Sequence, residues 1–282
     1  MNLPEPVVRK VRSLDGTEIY YDYYSVPSDR LVLVVPGFWR TRRWPTMLEL
    51  ARRIGASGAA AAILDLRGHG DSGGRFGFNL GEYRDLEAVA RDLVARGAAH
   101  RIDVIAFSLG ASIAVTAAAR VPELPWGAFL LVSPVARFRS IFPAANPFTL
   151  HRHLTFSQAF RSPRFDWGFC FRSKLDAARE IANAAIDVTI IHARHDWLVH
   201  HRHGRILWER APEPRKLIIL PVRGRYHADR LMTAAPEAFD PVLDEFLRKC
   251  EGPRSARGPS GHRQISPVTP SETGESPFPS GG

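Results

Sequence analysis

The sequence predicts an α/β fold, with a sheet of about eight strands, mostly parallel, and helices on both faces. Three observations carry this. Short apolar runs alternate with longer stretches of helical period from residue 31 to residue 249, the rhythm that builds parallel sheets with right-handed crossovers. Leu31 to Val35 is apolar without a break, as a strand covered on both faces requires. Ile102 to Ala106 passes within three residues into a helix-patterned stretch, Leu109 to Arg120, which describes a sharp turn from strand to helix.

In chain order, Val7 to Ser13 and Glu18 to Tyr24 are rich in Val and Tyr and read as an antiparallel hairpin turning at Asp15-Gly16. The strand Leu31 to Val35 stops at Pro36-Gly37. A helical pattern runs from Trp44 to Ala56, an apolar strand from Ala59 to Leu64, and a second helix near Glu82 to Arg96. Beyond the strand Ile102 to Ala106 and the helix ending at Arg120, further strands are Gly127 to Val132, Asp187 to Ala193 and Lys216 to Pro221. The closing helix, near Pro236 to Lys249, sets Phe239, Leu243, Phe246 and Leu247 on one face. Residues 134–184 break the rhythm with nine Phe or Trp and seven Arg, the profile of a cap inserted over the carboxyl edge of the sheet. The core is then 1–133 and 185–250. Residues 251–282 are Gly, Pro, Ser, Thr and Arg with almost no large apolar side chain, so they cannot offset the entropy of ordering and are expected to be disordered.

Composition narrows the function classes. The net charge of +9 could suit nucleic acid, but the basic residues are scattered and all except four are Arg, among many Ala and Pro. No basic stripe on a recognisable binding fold is visible, and a nucleic-acid partner is not expected. No apolar run approaches the roughly 20 residues of a membrane span, and no secretory signal opens the chain, so a cytoplasmic protein without membrane insertion is expected. Cys170 and Cys250 form neither a disulfide framework nor a metal-ligand spacing, and both read as free thiols.

Ala106-Phe107-Ser108-Leu109-Gly110 is the segment with chemistry in it. At a turn of this kind a serine is held in a strained backbone at the top of a sheet, flanked by small residues, with helix-start amides pointing to its reaction centre. Position 106 carries alanine where glycine is common, the mildest departure from that pattern. Locally, Ser108 also fits an ordinary helix N-cap, and residues elsewhere decide. A nucleophilic serine needs a base and an acid that orients the base. Asp196, in Ala-Arg-His-Asp-Trp, and His227, in Gly-Arg-Tyr-His-Ala-Asp, each follow a strand, in the order Ser, Asp, His. Both fall at carboxyl ends of parallel strands, where open α/β sheets hold their sites.

With these residues the chain resembles the α/β-hydrolase superfamily over residues 1–250. Asp65-Leu66-Arg67-Gly68-His69-Gly70-Asp71-Ser72-Gly73-Gly74 is similar to that family's glycine-rich loop after the fourth strand, and Pro36-Gly37-Phe38 to its oxyanion loop. The resemblance implies a serine hydrolase with no cofactor and no metal, acting on a small-molecule ester or thioester. Ser108 would be the nucleophile, His227 the base and Asp196 its orienting acid, with the backbone amides of Phe38 and Leu109 holding the oxyanion. Acyl transfer and peptide cleavage use the same groups, and a non-catalytic binding module is the alternative outside enzymology.

Other candidates read as structural. His69 lies in a loop that is structural in the family. His192, His195, His200, His201 and His203 crowd around Asp196 without a metal-ligand set. Ser112 reads as a small packing residue, and Asp187 and Asp229 as capping or solvated residues. The cap aromatics Phe138, Phe142, Phe156, Phe160, Trp167 and Phe169 fit either an acyl pocket or the cap's own core, with Phe142, Phe156 and Phe160 taken as substrate contacts. The tail yields the first test: a chain ending at Glu251 should keep the full-length melting temperature and activity. A drop of several degrees would show that the tail docks on the core.

Overall fold

The opening hairpin forms as its turn chemistry dictates. Val7–Arg12 (β1) and Glu18–Tyr24 (β2) pair antiparallel. Between them Gly16 takes φ +81, a conformation that a Cβ disfavours, while Asp15 Oδ1 accepts the Thr17 amide at 3.1 Å. The computed structural model describes residues 4–78, 81–98, 100–138, 141, 163–164, 166 and 174–249. Phe142, Phe156, Phe160, Trp167, Phe169, both cysteines and the tail from 251 lie outside the described residues.

The strands that follow are Leu31–Val35 (β3), Ala60–Leu64 (β4), Ile102–Phe107 (β5), Trp126–Val132 (β6), Asp187–Ala193 (β7) and Arg215–Leu220 (β8). They form one sheet in the order β1-β2-β4-β3-β5-β6-β7-β8. β2 pairs antiparallel with β1 and with β4, and every ladder from β4 to β8 is parallel. The helices are Pro45–Ala56 (α1), Tyr83–Ala95 (α2), Leu109–Arg120 (α3), the short Ala177–Glu180 (α4), Arg202–Arg210 (α5), Arg230–Ala234 (α6) and Pro236–Lys249 (α7).

The unbroken apolar run of β3 divides by alternation. Leu31, Leu33 and Val35 pack in one core cluster with Leu86, Val89 and Leu93 of α2 and Ile113 and Ala117 of α3. Val32 and Val34 pack in the other, with Met47, Leu50 and Ile54 of α1 and Phe239, Leu243 and Phe246 of α7. Successive strand side chains point to opposite faces, so a strand covered by helices on both sides needs an apolar residue at every position.

The predicted strands and helices occur with shifts of one or two residues; the short α4 and α6 are additions, and so is the longer α5. The buried face of α5 is His203, Gly204 and Leu207, so a histidine and a glycine occupy positions where the eye seeks an apolar stripe. Among the described residues, no helix is long and apolar enough to cross a membrane. Within 134–184, Arg164 exchanges backbone hydrogen bonds with Gly68 and Phe76, Asp166 donates to the Phe76 carbonyl, and Ala178 donates to that of Ala136.

Beside α2, Glu82 is fully buried and accepts the Gly77 amide at 2.7 Å. Burial pushes its carboxyl up to about 7 from an ordinary 4.5. A folded-state pKa above the unfolded one favours folding below about 4.5, and that contribution is lost as pH rises toward 7. Gln in its place can keep the acceptor without the ionisation. Glu82→Gln should therefore gain stability relative to the native chain as pH rises from 4.5 to 8, read by urea unfolding. A difference that stays constant with pH would show that Glu82 does not titrate in this window.

Candidate active site

β3 and β5 are neighbours, yet their outgoing connections cover opposite faces, α1 on one and α3 on the other. The crevice at the carboxyl ends of such a strand pair is where open α/β sheets bind ligands. Ser108 stands there with φ 52 and ψ −117, a conformation non-glycine residues rarely adopt. Its amide donates to the Val132 carbonyl at 2.8 Å, and its own carbonyl accepts from Ala111 at 3.2 Å and Val135 at 3.4 Å.

Small residues let this turn close. A Cβ on Gly110 would lie 2.3 Å from the Pro36 carbonyl oxygen, and one on Gly37 would lie 3.4 Å from Ser108 Cβ. The loop after β3 therefore runs against the first turn of α3. Ala106 fits because its methyl points into the sheet core, where it is fully buried beside its register partners Val35 and Leu131. Leu109 begins α3, and the amides of its first turn carry the positive end of the helix dipole.

The loop carrying Phe38 is held from below. Trp39, at φ 65, donates its amide to His69 Nε2 at 3.3 Å, and His69 Nδ1 donates to the Arg67 carbonyl at 3.0 Å. Burial pushes the His69 imidazole down to about 4, which keeps Nε2 an acceptor at neutral pH. His69 is a structural residue, in accord with its expected role. The Phe38 ring packs 5.3 Å from Phe76 and 4.8 Å from Phe78, and Phe78 stacks on Phe138 at 4.6 Å. Phe78 escaped the sequence reading because its loop has no period; its φ of 53 is visible only in three dimensions.

The three residues singled out from the sequence meet. His227 Nε2 lies 2.8 Å from Ser108 Oγ, and its Nδ1 lies 2.8 Å from Asp196 Oδ2. Asp196 Oδ1 accepts the amides of Leu198 at 3.0 Å and Val199 at 2.9 Å. Burial alone would raise the Asp196 carboxyl, but the facing His227 and the donors on His192 and His227 hold it well below the ordinary carboxylate range. With Nδ1–H donated to that carboxylate, Nε2 is an acceptor able to take the Ser108 proton.

Other side chains support these loops from places the sequence left obscure. Asp229 is a correction: the expected capping or solvated residue is buried, makes no side-chain cap, and accepts from Arg40 Nε and Thr46 Oγ1, each at 3.0 Å. It ties the Phe38 loop to the His227 loop, a pairing across 189 positions that leaves no local trace. Ser133, at φ 48, accepts the Ala228 amide at 3.2 Å just after His227. Ser112 donates to the Val135 carbonyl. His203 Nδ1 accepts the Ala136 amide at 3.1 Å, and burial with His192 and His200 nearby pushes it down to about 4. His200 Nδ1 accepts the Arg202 amide and His201 Nδ1 faces the Arg194 carbonyl. Among the described residues, no group of three or more His, Cys, Asp or Glu is arranged to hold a metal ion.

A model of the alpha/beta hydrolase family matches residues 32–270. The chain belongs to the alpha/beta hydrolase family. No curated protein sequence matches this hydrolase-family chain. Among solved structures it is similar to an esterase from Pyrococcus furiosus, with a TM-score of 0.70 and 20% identity over 87% of this chain and 90% of that one. An esterase from Rhodococcus sp. ECU1013 superposes with a TM-score of 0.66 at 20% identity, over 86% and 99% of the two chains. One from Exiguobacterium antarcticum does so at 0.66 and 15%, over 86% and 100%. At such identities the likeness concerns the fold.

The close approach of Gly110 to two carbonyls gives a test that needs no substrate. Gly110→Ala should lower unfolding stability by roughly 1–3 kcal/mol, because the obstructing atoms are backbone and cannot swing aside. An unchanged urea midpoint would mean that the loop and helix are farther apart than described.

Proposed function

We propose that this α/β-hydrolase is a serine hydrolase that cleaves a carboxylic ester or thioester through an acyl-Ser108 intermediate. The observation that carries the reading is the hydrogen-bonded chain from Ser108 Oγ through His227 to Asp196, both links at 2.8 Å. The Ser108 hydroxyl attacks the substrate carbonyl while His227 Nε2 takes its proton, and the tetrahedral oxyanion is held by the amides of Leu109 and Phe38. His227 then returns the proton to the departing alcohol or thiol. Water repeats the cycle on the acyl-enzyme. Asp196 keeps the imidazole in the right tautomer and stabilises its cation.

The esterase names of the superposed structures favour ester cleavage over acyl transfer or peptide cleavage with the same groups. Residues 134–184 serve in this reading as a cap that selects substrates. Phe142, Phe156 and Phe160 are its proposed substrate contacts. The cytoplasm is the proposed setting, since Cys170 and Cys250 are too few and too far apart in the sequence to make a disulfide framework.

The deciding experiment combines fluorophosphonate labelling with a panel of p-nitrophenyl esters of graded chain length. Ser108→Ala and His227→Ala should each cut kcat by roughly 10³-fold or more and abolish or greatly slow labelling, with folding intact. Native turnover by Ser108→Ala on every ester would refute the assignment.

A further inference from the structure

His192, on β7, is fully buried four residues before Asp196. A backbone carbonyl can only accept, so the 2.7 Å contact of His192 Nε2 with the Val199 carbonyl puts the proton on Nε2. The same Nε2 lies 3.5 Å from Asp196 Oδ2, the oxygen that faces His227. Val199 in turn donates its amide to Asp196 Oδ1 at 2.9 Å. The turn carrying Asp196 is thus tied in two steps: the imidazole N–H donates to the Val199 carbonyl, and the Val199 amide donates to the carboxylate, with Nε2 near the other carboxylate oxygen.

The other ring nitrogen sharpens the point. His192 Nδ1 is buried with no hydrogen-bond partner and lies against Gly204 of α5, where a Cβ would come within 3.1 Å of it. An orphaned buried acceptor is costly, and a leucine or isoleucine of similar size would remove that cost. A histidine is useful at this position through its other nitrogen. The titratable groups around it are Asp196 on the turn and His200 and His203 from α5 and its approach.

We propose that His192 is a positioning residue for the reaction: from behind the site, its Nε2–H pins the turn that holds the Asp196 carboxylate against His227. The inference rests on the Ser108, His227 and Asp196 reading above. It adds a fourth member that touches neither substrate nor reacting atoms. Because Asp196 matters most when His227 becomes a cation in the transition state, loosening the carboxylate should lower kcat and leave KM nearly unchanged.

The test uses the full chain and three variants. Glutamine places an amide N–H near the position of Nε2, whereas asparagine reaches only to Nδ1 and leucine offers no donor. His192→Gln should keep kcat within roughly threefold of native on a p-nitrophenyl ester, while His192→Asn and His192→Leu fall by roughly tenfold or more at similar KM. Equal kcat in all three and the native chain, an equal loss in all three, or a change confined to KM would overturn the proposal. Failure of the parent reading looks different, since Ser108 in the native chain would then resist fluorophosphonate. Should the variants not fold, ¹⁵N-histidine NMR of the unaltered protein decides: His192 should be the Nε2–H tautomer, and finding the Nδ1–H tautomer would overturn the proposal.

Discussion

The turn at Ser108 is the constraint on which the rest of the site depends. A non-glycine residue at φ 52 stores strain of order 1–3 kcal/mol, and such a conformation persists only where its surroundings over-determine it. Here three backbone hydrogen bonds, to Val132, Ala111 and Val135, fix Ser108 at both its amide and its carbonyl. Steric room completes the hold. Gly110 admits the Val35 and Pro36 carbonyls, and Ala106 turns its methyl into the core. Were the turn relaxed, the Ser108 hydroxyl would lose its place beside His227, and the Phe38 loop its seat against α3.

That arrangement is reinforced by buried charge below the loops. Arg42 reaches Asp22 at 2.8 Å and Asp71 at 2.6 Å, pairs with Asp65, and donates its own amide to Asp65 at 2.7 Å. Arg67 grips Asp85 and Asp15 in the same way. Buried ion pairs of this sort add little net stability over an apolar substitute, yet loss of one partner is severe because it leaves a buried charge alone. What they contribute here is location: β2, the loop after β3 and the glycine-rich loop after β4 are bound to one another. His69 then passes that placement to the Trp39 amide.

Strain is concentrated where the chemistry is proposed. Among the described residues, the non-glycine positions with positive φ are Trp39, Phe78, Ser108, Ser133 and Ala228. Trp39 follows the proposed oxyanion donor Phe38, and Ala228 follows His227. Ser133 ends β6 and holds the Ala228 amide. A sheet with well-packed strands can carry these costs because each falls on a single residue in a loop or at a strand end.

Much of the fold and the three central residues were legible because each rests on a local pattern. Continuous apolar runs marked the strands, helical periods marked most helices, and Ser108, Asp196 and His227 each follow a strand in a recognisable order. α5 was illegible, since His203 and Gly204 stand in its buried stripe. The role of Asp229 was hidden too, for its partners Arg40 and Thr46 lie far away in the chain. By itself, then, the sequence determined the alternation of elements and the residue types set at the strand ends, because hydrophobic period and turn chemistry act over a few residues. Only the tertiary structure decided that β4 lies between β2 and β3, that the β3 and β5 loops meet at Gly110, and that a buried histidine backs Asp196. Those outcomes depend on strand order and on contacts between distant segments, and no local preference encodes them.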